Sequence, residues 1–69
     1  SNQLNFSISG LQNVPFILNV TDVSGRLLLT QSGTLNLYNQ VTTQKLSPGI
    51  YSVNVYAADK IFTSKIFVK

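Results

Sequence analysis

Few side chains in this sequence are able to do covalent or acid–base chemistry, and their spacing decides what remains. Its 69 residues include no histidine and no cysteine, and the only acids are Asp22 and Asp59. Both fall in stretches that read as separate turns, so they do not make the paired carboxylates that general acid and base catalysis needs. The serines have no evident base to activate them. Transition-metal binding wants clustered imidazoles, thiolates or carboxylates, and the glycines stand too far apart to cradle a phosphate. The chain therefore reads as non-catalytic, with no cofactor and no metal.

What is left is recognition. Arg26, Lys45, Lys60, Lys65 and Lys69 against two acids give a net charge of +3, dispersed rather than gathered into the dense patch that nucleic acid requires. No nucleic-acid partner is expected. Exposed cations usually do no more than solvate a face. Lys65 and Lys69 stand out because they bracket apolar Phe67 on an accessible strand, and an edge strand is read through its main-chain hydrogen bonds and alternate side chains. Arg26, Lys60, Lys65, Phe67 and Lys69 are the candidate partner-recognition residues.

The elements that must hold these residues are strands. The organising stretch is 46–56, LSPGIYSVNVY. Ser47, Pro48 and Gly49 make a turn, with the φ of Pro48 fixed and Gly49 free to take φ > 0. Tyr51, Val53 and Val55 then point one way, and Ser52, Asn54 and Tyr56 the other. A last strand over 60–69 follows at once, so the two form a hairpin closed near Ala58, Asp59 and Lys60. Phe62, Ile66 and Val68 are placed in the core, which leaves Ile61 and Phe67 partly exposed. The bland account is that a loop or strand bend covers those two and that the lysines guard the edge against aggregation.

Upstream, Leu4, Phe6 and Ile8 alternate in a first strand ending at Gly10, and Phe16, Leu18 and Val20 alternate in a second. Residues 22–25 make a turn in which Asp22 caps backbone N–H groups and Gly25 supplies φ > 0. A third strand returns over 26–30. Gln31, Ser32 and Gly33 read as another turn, followed by a short strand through Leu35 and Leu37 and a weak, Thr-rich strand over 41–46. Turn signals at this spacing predict an all-β, Ig-like antiparallel β-sandwich of about seven short strands, forming one domain over 1–69. Tyr51 is open to two roles, a corner tyrosine bonding back to the backbone or plain core. Two N-x-[ST] triplets, at Asn5 and Asn19, lie inside predicted strands and read as coincidence. At 43% hydrophobic and 10% charged the chain is not of disordered composition, and no apolar run approaches the roughly 18 residues of a membrane helix.

With these residues in place, the chain resembles the C-terminal sorting domain of the type IX (Por) secretion system, type A. The resemblance rests on DVSGRLL at 22–28, LSPGIYSVNVY at 46–56 and KIFVK at 65–69, in that order. Asp22, Gly25 and Arg26 match the family's first motif, Leu46, Gly49 and Tyr51, with Pro48 between them, the second, and Lys65 and Lys69 the terminal one. The Y-P-N-P-like opening seen in many members is not found, and the turn at Asp59 and Lys60 lacks the usual glycine.

The resemblance implies an Ig-like sandwich appended to an N-terminal cargo domain in the same precursor. That precursor would cross the periplasm and outer membrane of a Gram-negative, Bacteroidetes-type bacterium. Its partners would be the type IX translocon and sortase-like processing machinery, its destination the cell surface or the medium, and the domain would be cleaved afterwards. It also predicts a larger upstream protein with a signal peptide and a natural stop after Lys69. Apolar edge strands make a homodimer of the isolated domain an expectation as well. The rival expectation is an Ig-like or fibronectin-like structural or adhesion module of a surface protein, binding carbohydrate through Tyr38 or Tyr56.

Overall fold

A computed structural model describes residues 3–42 and 46–69. Its six strands, all antiparallel, are β1 (Gln3–Phe6), β2 (Pro15–Thr21), β3 (Leu27–Thr34), β4 (Asn39–Thr42), β5 (Gly49–Ala57) and β6 (Lys60–Val68). They form a four-stranded sheet in the order β3-β2-β5-β6 and a two-stranded sheet of β1 and β4. The all-β sandwich is therefore what the chain builds, with six strands among the described residues rather than seven.

Alternation explains the packing. Phe16, Leu18 and Val20 of β2 and Tyr51, Val53, Val55 and Ala57 of β5 turn to one side and are buried together with Leu35, Val41 and Val68. Leu4 and Phe6 of β1 pack onto this cluster from the small sheet, and the Phe6 ring meets Phe16 edge-on with centroids 5.8 Å apart. Hiding a side chain such as Leu18 or Val20 is worth about 1.5–3 kcal/mol. Overall dimensions of 31 × 22 × 16 Å leave room for two layers spaced about 10 Å apart. Among the described residues nothing covers the second face of the four-stranded sheet.

Three expectations are corrected here. Gln31, Ser32 and Gly33 are not a turn but part of β3, paired with Leu18, Ile17 and Phe16. Gly33 sits there because the Phe16 ring crosses it: a Cβ at position 33 would lie 3.2 Å from Phe16 Cε1. Leu35 and Leu37 do not form a strand. Leu35 instead exchanges backbone hydrogen bonds with the loop before β2, donating to the Val14 carbonyl at 2.8 Å and accepting from Asn13 N–H at 2.8 Å, and it is wholly buried while Leu37 is exposed. The expected strand over 41–46 begins earlier, at Asn39, and its residues 43–45 lie outside the described residues.

Asn39 gave no signal in the sequence, yet it is buried. Its Oδ1 accepts from Asn36 N–H at 2.9 Å, and its Nδ2 donates to the carbonyls of Asn36 at 3.0 Å and Phe6 at 3.3 Å. This one amide ties the loop entering β4 to the end of β1.

Candidate recognition surface

The turn between β2 and β3 is organised by one carboxylate. Asp22 Oδ1 accepts from Ser24 N–H at 2.9 Å, Ser24 Oγ at 2.6 Å and Arg26 N–H at 3.0 Å. Backbone bonds from Asp22 N–H to the Arg26 carbonyl and from Gly25 N–H to the Asp22 carbonyl, each 3.0 Å, close the loop. Gly25 has φ 88°, a left-handed value that a side chain would disfavour. The Arg26 guanidinium lies 3.5 Å from Asp22 Oδ2, but its side chain is 76% exposed, so the pair contributes little. The Ser24 hydroxyl, and next the Arg26 N–H, hold the Asp22 carboxyl below the usual carboxylate range. Asp22 thus has the geometry of an Asx-type cap. At the exit of the turn a β-bulge between Val20 and Thr21 leaves Leu28 unpaired, so that Thr21 faces Leu27.

The second motif sets the opposite border of the same end. Tyr51 is buried, and its hydroxyl donates to the Ser47 carbonyl, so both roles open to it in the sequence are filled by one side chain. Leu46 packs half-buried on the core, Pro48 is exposed, and Gly49 opens β5 with nearly extended backbone.

Register then decides which candidates meet. On the open face of the large sheet, Leu27, Thr21, Ser52 and Lys65 form one row across all four strands, and Ile50 faces Phe67 in the next. A depression of about 360 Å³ lies here, lined by Thr21, Asp22, Gly25, Ile50, Tyr51 and Lys65 among others. Asp22, Gly25, Tyr51 and Lys65, distant in sequence, border one hollow. Arg26 follows the lining residue Gly25, and Lys69 follows β6 at the same end. Lys60 does not join them. It starts β6 at the other end of the sheet, beside a depression of about 450 Å³ that Ile17, Tyr56 and Ile61 also line.

Phe62, Ile66 and Val68 face the core as expected, Val68 buried and the other two half-buried. Ile61 and Phe67 are each 68% exposed, with no covering loop among the described residues. The exposed Ile17, Ile50 and Leu27 escaped the sequence reading, although their parity matches that of Thr21 and Ser52. Between the two apolar ends runs a polar band, in which Thr30 Oγ1 donates to Asn19 Oδ1 at 2.7 Å and Thr63 Oγ1 to Asn54 Oδ1 at 2.9 Å. Tyr38 lies in a bend before β4 and Tyr56 on the open sheet face, so the two do not share a platform.

The family model for the secretion system C-terminal sorting domain matches residues 1–69. The chain belongs to that family. Searches among curated proteins and among solved structures each returned no match. As a member of the type IX sorting-domain family the chain is a sorting signal, of a kind that is generally non-catalytic and that works with the secretion machinery on an N-terminal cargo in the same precursor. Its protein is one destined for secretion or the cell surface.

Proposed function

We propose that residues 1–69 act as a single sorting domain whose attached N-terminal cargo is carried across the outer membrane by the type IX translocon. Sortase-like machinery then removes the domain. The translocon reads the end of the large sheet that carries the Asp22 turn and Arg26 at one edge and Lys65, Phe67 and Lys69 at the other. The observation that carries this reading is the family match along the whole chain, and the convergence of motif residues on one hollow supports the choice of surface. Lys60, at the far end, is left out of it.

The test is a secretion assay in a type IX-competent bacterium and in a translocon-deleted strain, with residues 1–69 placed behind a signal peptide and a reporter. Reporter is expected in the medium or on the surface only with an intact translocon. K65A/F67A/K69A is expected to retain it in the periplasm, whereas K60A leaves export unchanged. A folded, intact fusion held in the periplasm of the competent strain would overturn the sorting role. Normal export of a folded triple variant would overturn the assignment of the surface alone.

A further inference from the structure

Among the described residues the far edge of β6 is an open ladder. β6 ends the four-stranded sheet, and Ile61, Thr63, Lys65 and Phe67 are all exposed. Hairpin geometry fixes which backbone groups turn outward. A two-residue turn makes its flanking residues, here Ala57 and Lys60, a hydrogen-bonded pair, and the register continues unbroken to Gly49 opposite Val68. Lys60, Phe62, Ser64, Ile66 and Val68 therefore spend their N–H and C=O groups on β5. Ile61, Thr63, Lys65 and Phe67 direct theirs to the open edge, where another strand is able to pair.

That edge is self-complementary. Residues 61–67 read IFTSKIF, apolar at both ends and polar in the middle. Because only the outward-turned residues supply hydrogen bonds, an antiparallel self-pairing over this stretch centres on position 63, 64 or 65. Centred on Thr63, it puts Ile61 against the partner's Lys65 and Phe67 against the partner's Asp59. Centred on Lys65, it sets Lys65 against the partner's Lys65, and like charges directly opposite are destabilising. Centred on Ser64, it puts Ile61 opposite the partner's Phe67 and Thr63 opposite the partner's Lys65 on the open face. On the core side Phe62 meets the partner's Ile66, covering two side chains that are only half-buried in one copy.

We propose that the chain forms a two-fold homodimer in which β6 pairs antiparallel with β6 of a second copy, centred on Ser64, joining two four-stranded sheets into one. The occupant is a second copy because at this register apolar residues of the strand meet apolar ones and the two lysines stand apart, whereas its neighbours set Ile61 against Lys65 or Lys65 against Lys65. The contact is small beside a standard interface of about 1,600 Å², so the dimer dissociates in the micromolar range. The edge holds one strand at a time, and dimerisation therefore excludes any partner that adds a strand along β6. The proposal stands independently of the secretory reading.

Sedimentation of the 69-residue chain from low micromolar to near-millimolar concentration is expected to show a monomer–dimer equilibrium. The chain has no cysteine, so single-cysteine variants report register. Ser64 meets its mate in a non-hydrogen-bonded pair, with Cα atoms about 4.5 Å apart, within disulfide reach. S64C is expected to crosslink to itself on mild oxidation, T63C and K65C each about tenfold more slowly alone, and T63C mixed with K65C readily. T63P removes an outward N–H without touching the β5 ladder and is expected to raise the dissociation constant about tenfold. A monomer at every concentration, self-crosslinking of T63C or K65C as fast as that of S64C, or a folded T63P that dimerises like the parent would each overturn the proposal. If T63P does not fold, the S64C comparison decides alone.

Discussion

Replacing Asn39 tests whether one buried amide holds the loop entering β4 to the end of β1. Asn39→Ala removes one hydrogen bond accepted from Asn36 N–H and two donated to the carbonyls of Asn36 and Phe6. At about 1 kcal/mol each, less what water restores at the loop, the expected loss is about 2–3 kcal/mol. A domain of this size has roughly 3–10 kcal/mol in total, so the loss is a large share of it. Thermal unfolding followed by circular dichroism should show Tm lowered by about 10–20 °C, and the urea midpoint should fall by about 2–3 M for a slope near 1 kcal/mol/M.

Asn39→Asp keeps the acceptor for Asn36 N–H but aims a second oxygen at two carbonyls. At neutral pH it should cost more than Asn39→Ala. Protonation returns a donor to that oxygen, so the folded state raises the pKa of the new carboxyl above its unfolded value of about 3.9. The folded state then binds the extra proton, and stability declines as pH rises from the unfolded value through the folded one. The deficit relative to the parent should accordingly shrink near pH 3. An Asn39→Ala variant within about 0.5 kcal/mol of the parent, or an Asn39→Asp deficit that grows on acidification, would refute the reasoning.

Asp22 gives the opposite pH signature. Its carboxyl is held low by the Ser24 hydroxyl and the Arg26 N–H, so its contribution is present above the usual carboxylate value and is lost as pH falls through the lowered folded value. Asp22→Asn, which keeps an Oδ1 acceptor, should flatten that acid limb of the stability curve with less loss at pH 7 than Asp22→Ala; an unchanged acid limb would sink the assignment. The β5–β6 turn places Ala58 at φ 52° and Asp59 at φ 61°, the two left-handed positions of a type I′ turn, which favours Asn-Gly. The double variant A58N/D59G should therefore gain about 1 kcal/mol and raise Tm by about 4–8 °C, and a melt at or below the parent's would show that this turn is not strained.

What the sequence made legible was local. Alternation over seven to nine residues revealed β2, β5 and β6 and their buried parities, and the spacing of Asp22, Gly25 and Arg26 revealed a capped turn. Tyr51 was readable as far as its two alternatives. Gln31, Ser32 and Gly33 misled because turn-prone residues also serve an edge strand when the partner demands it, here because the Phe16 ring needs the space above Gly33. Asn39 was invisible because its partners, Phe6 and Asn36, come from a distant strand and an unpatterned loop.

The candidate site divides along the same line. Each of its residues could be named from its own motif, but their convergence depends on the pairing of β2 with β5 and of β5 with β6, which no single strand encodes. Two register facts, Thr21 opposite Ser52 and Ser52 opposite Lys65, carry the Asp22 turn to the last strand. The bulge at Val20 and Thr21 matters for the same reason. By shifting β3 by one residue it brings Leu27, rather than Leu28, into the row that ends at Lys65. A change at the bulge would therefore move Arg26 relative to Lys65 without touching either side chain. The proposed recognition surface depends in this sense on strand register first and on charged residues second, so on that proposal a substitution that shifts register should impair export even where every candidate side chain is kept.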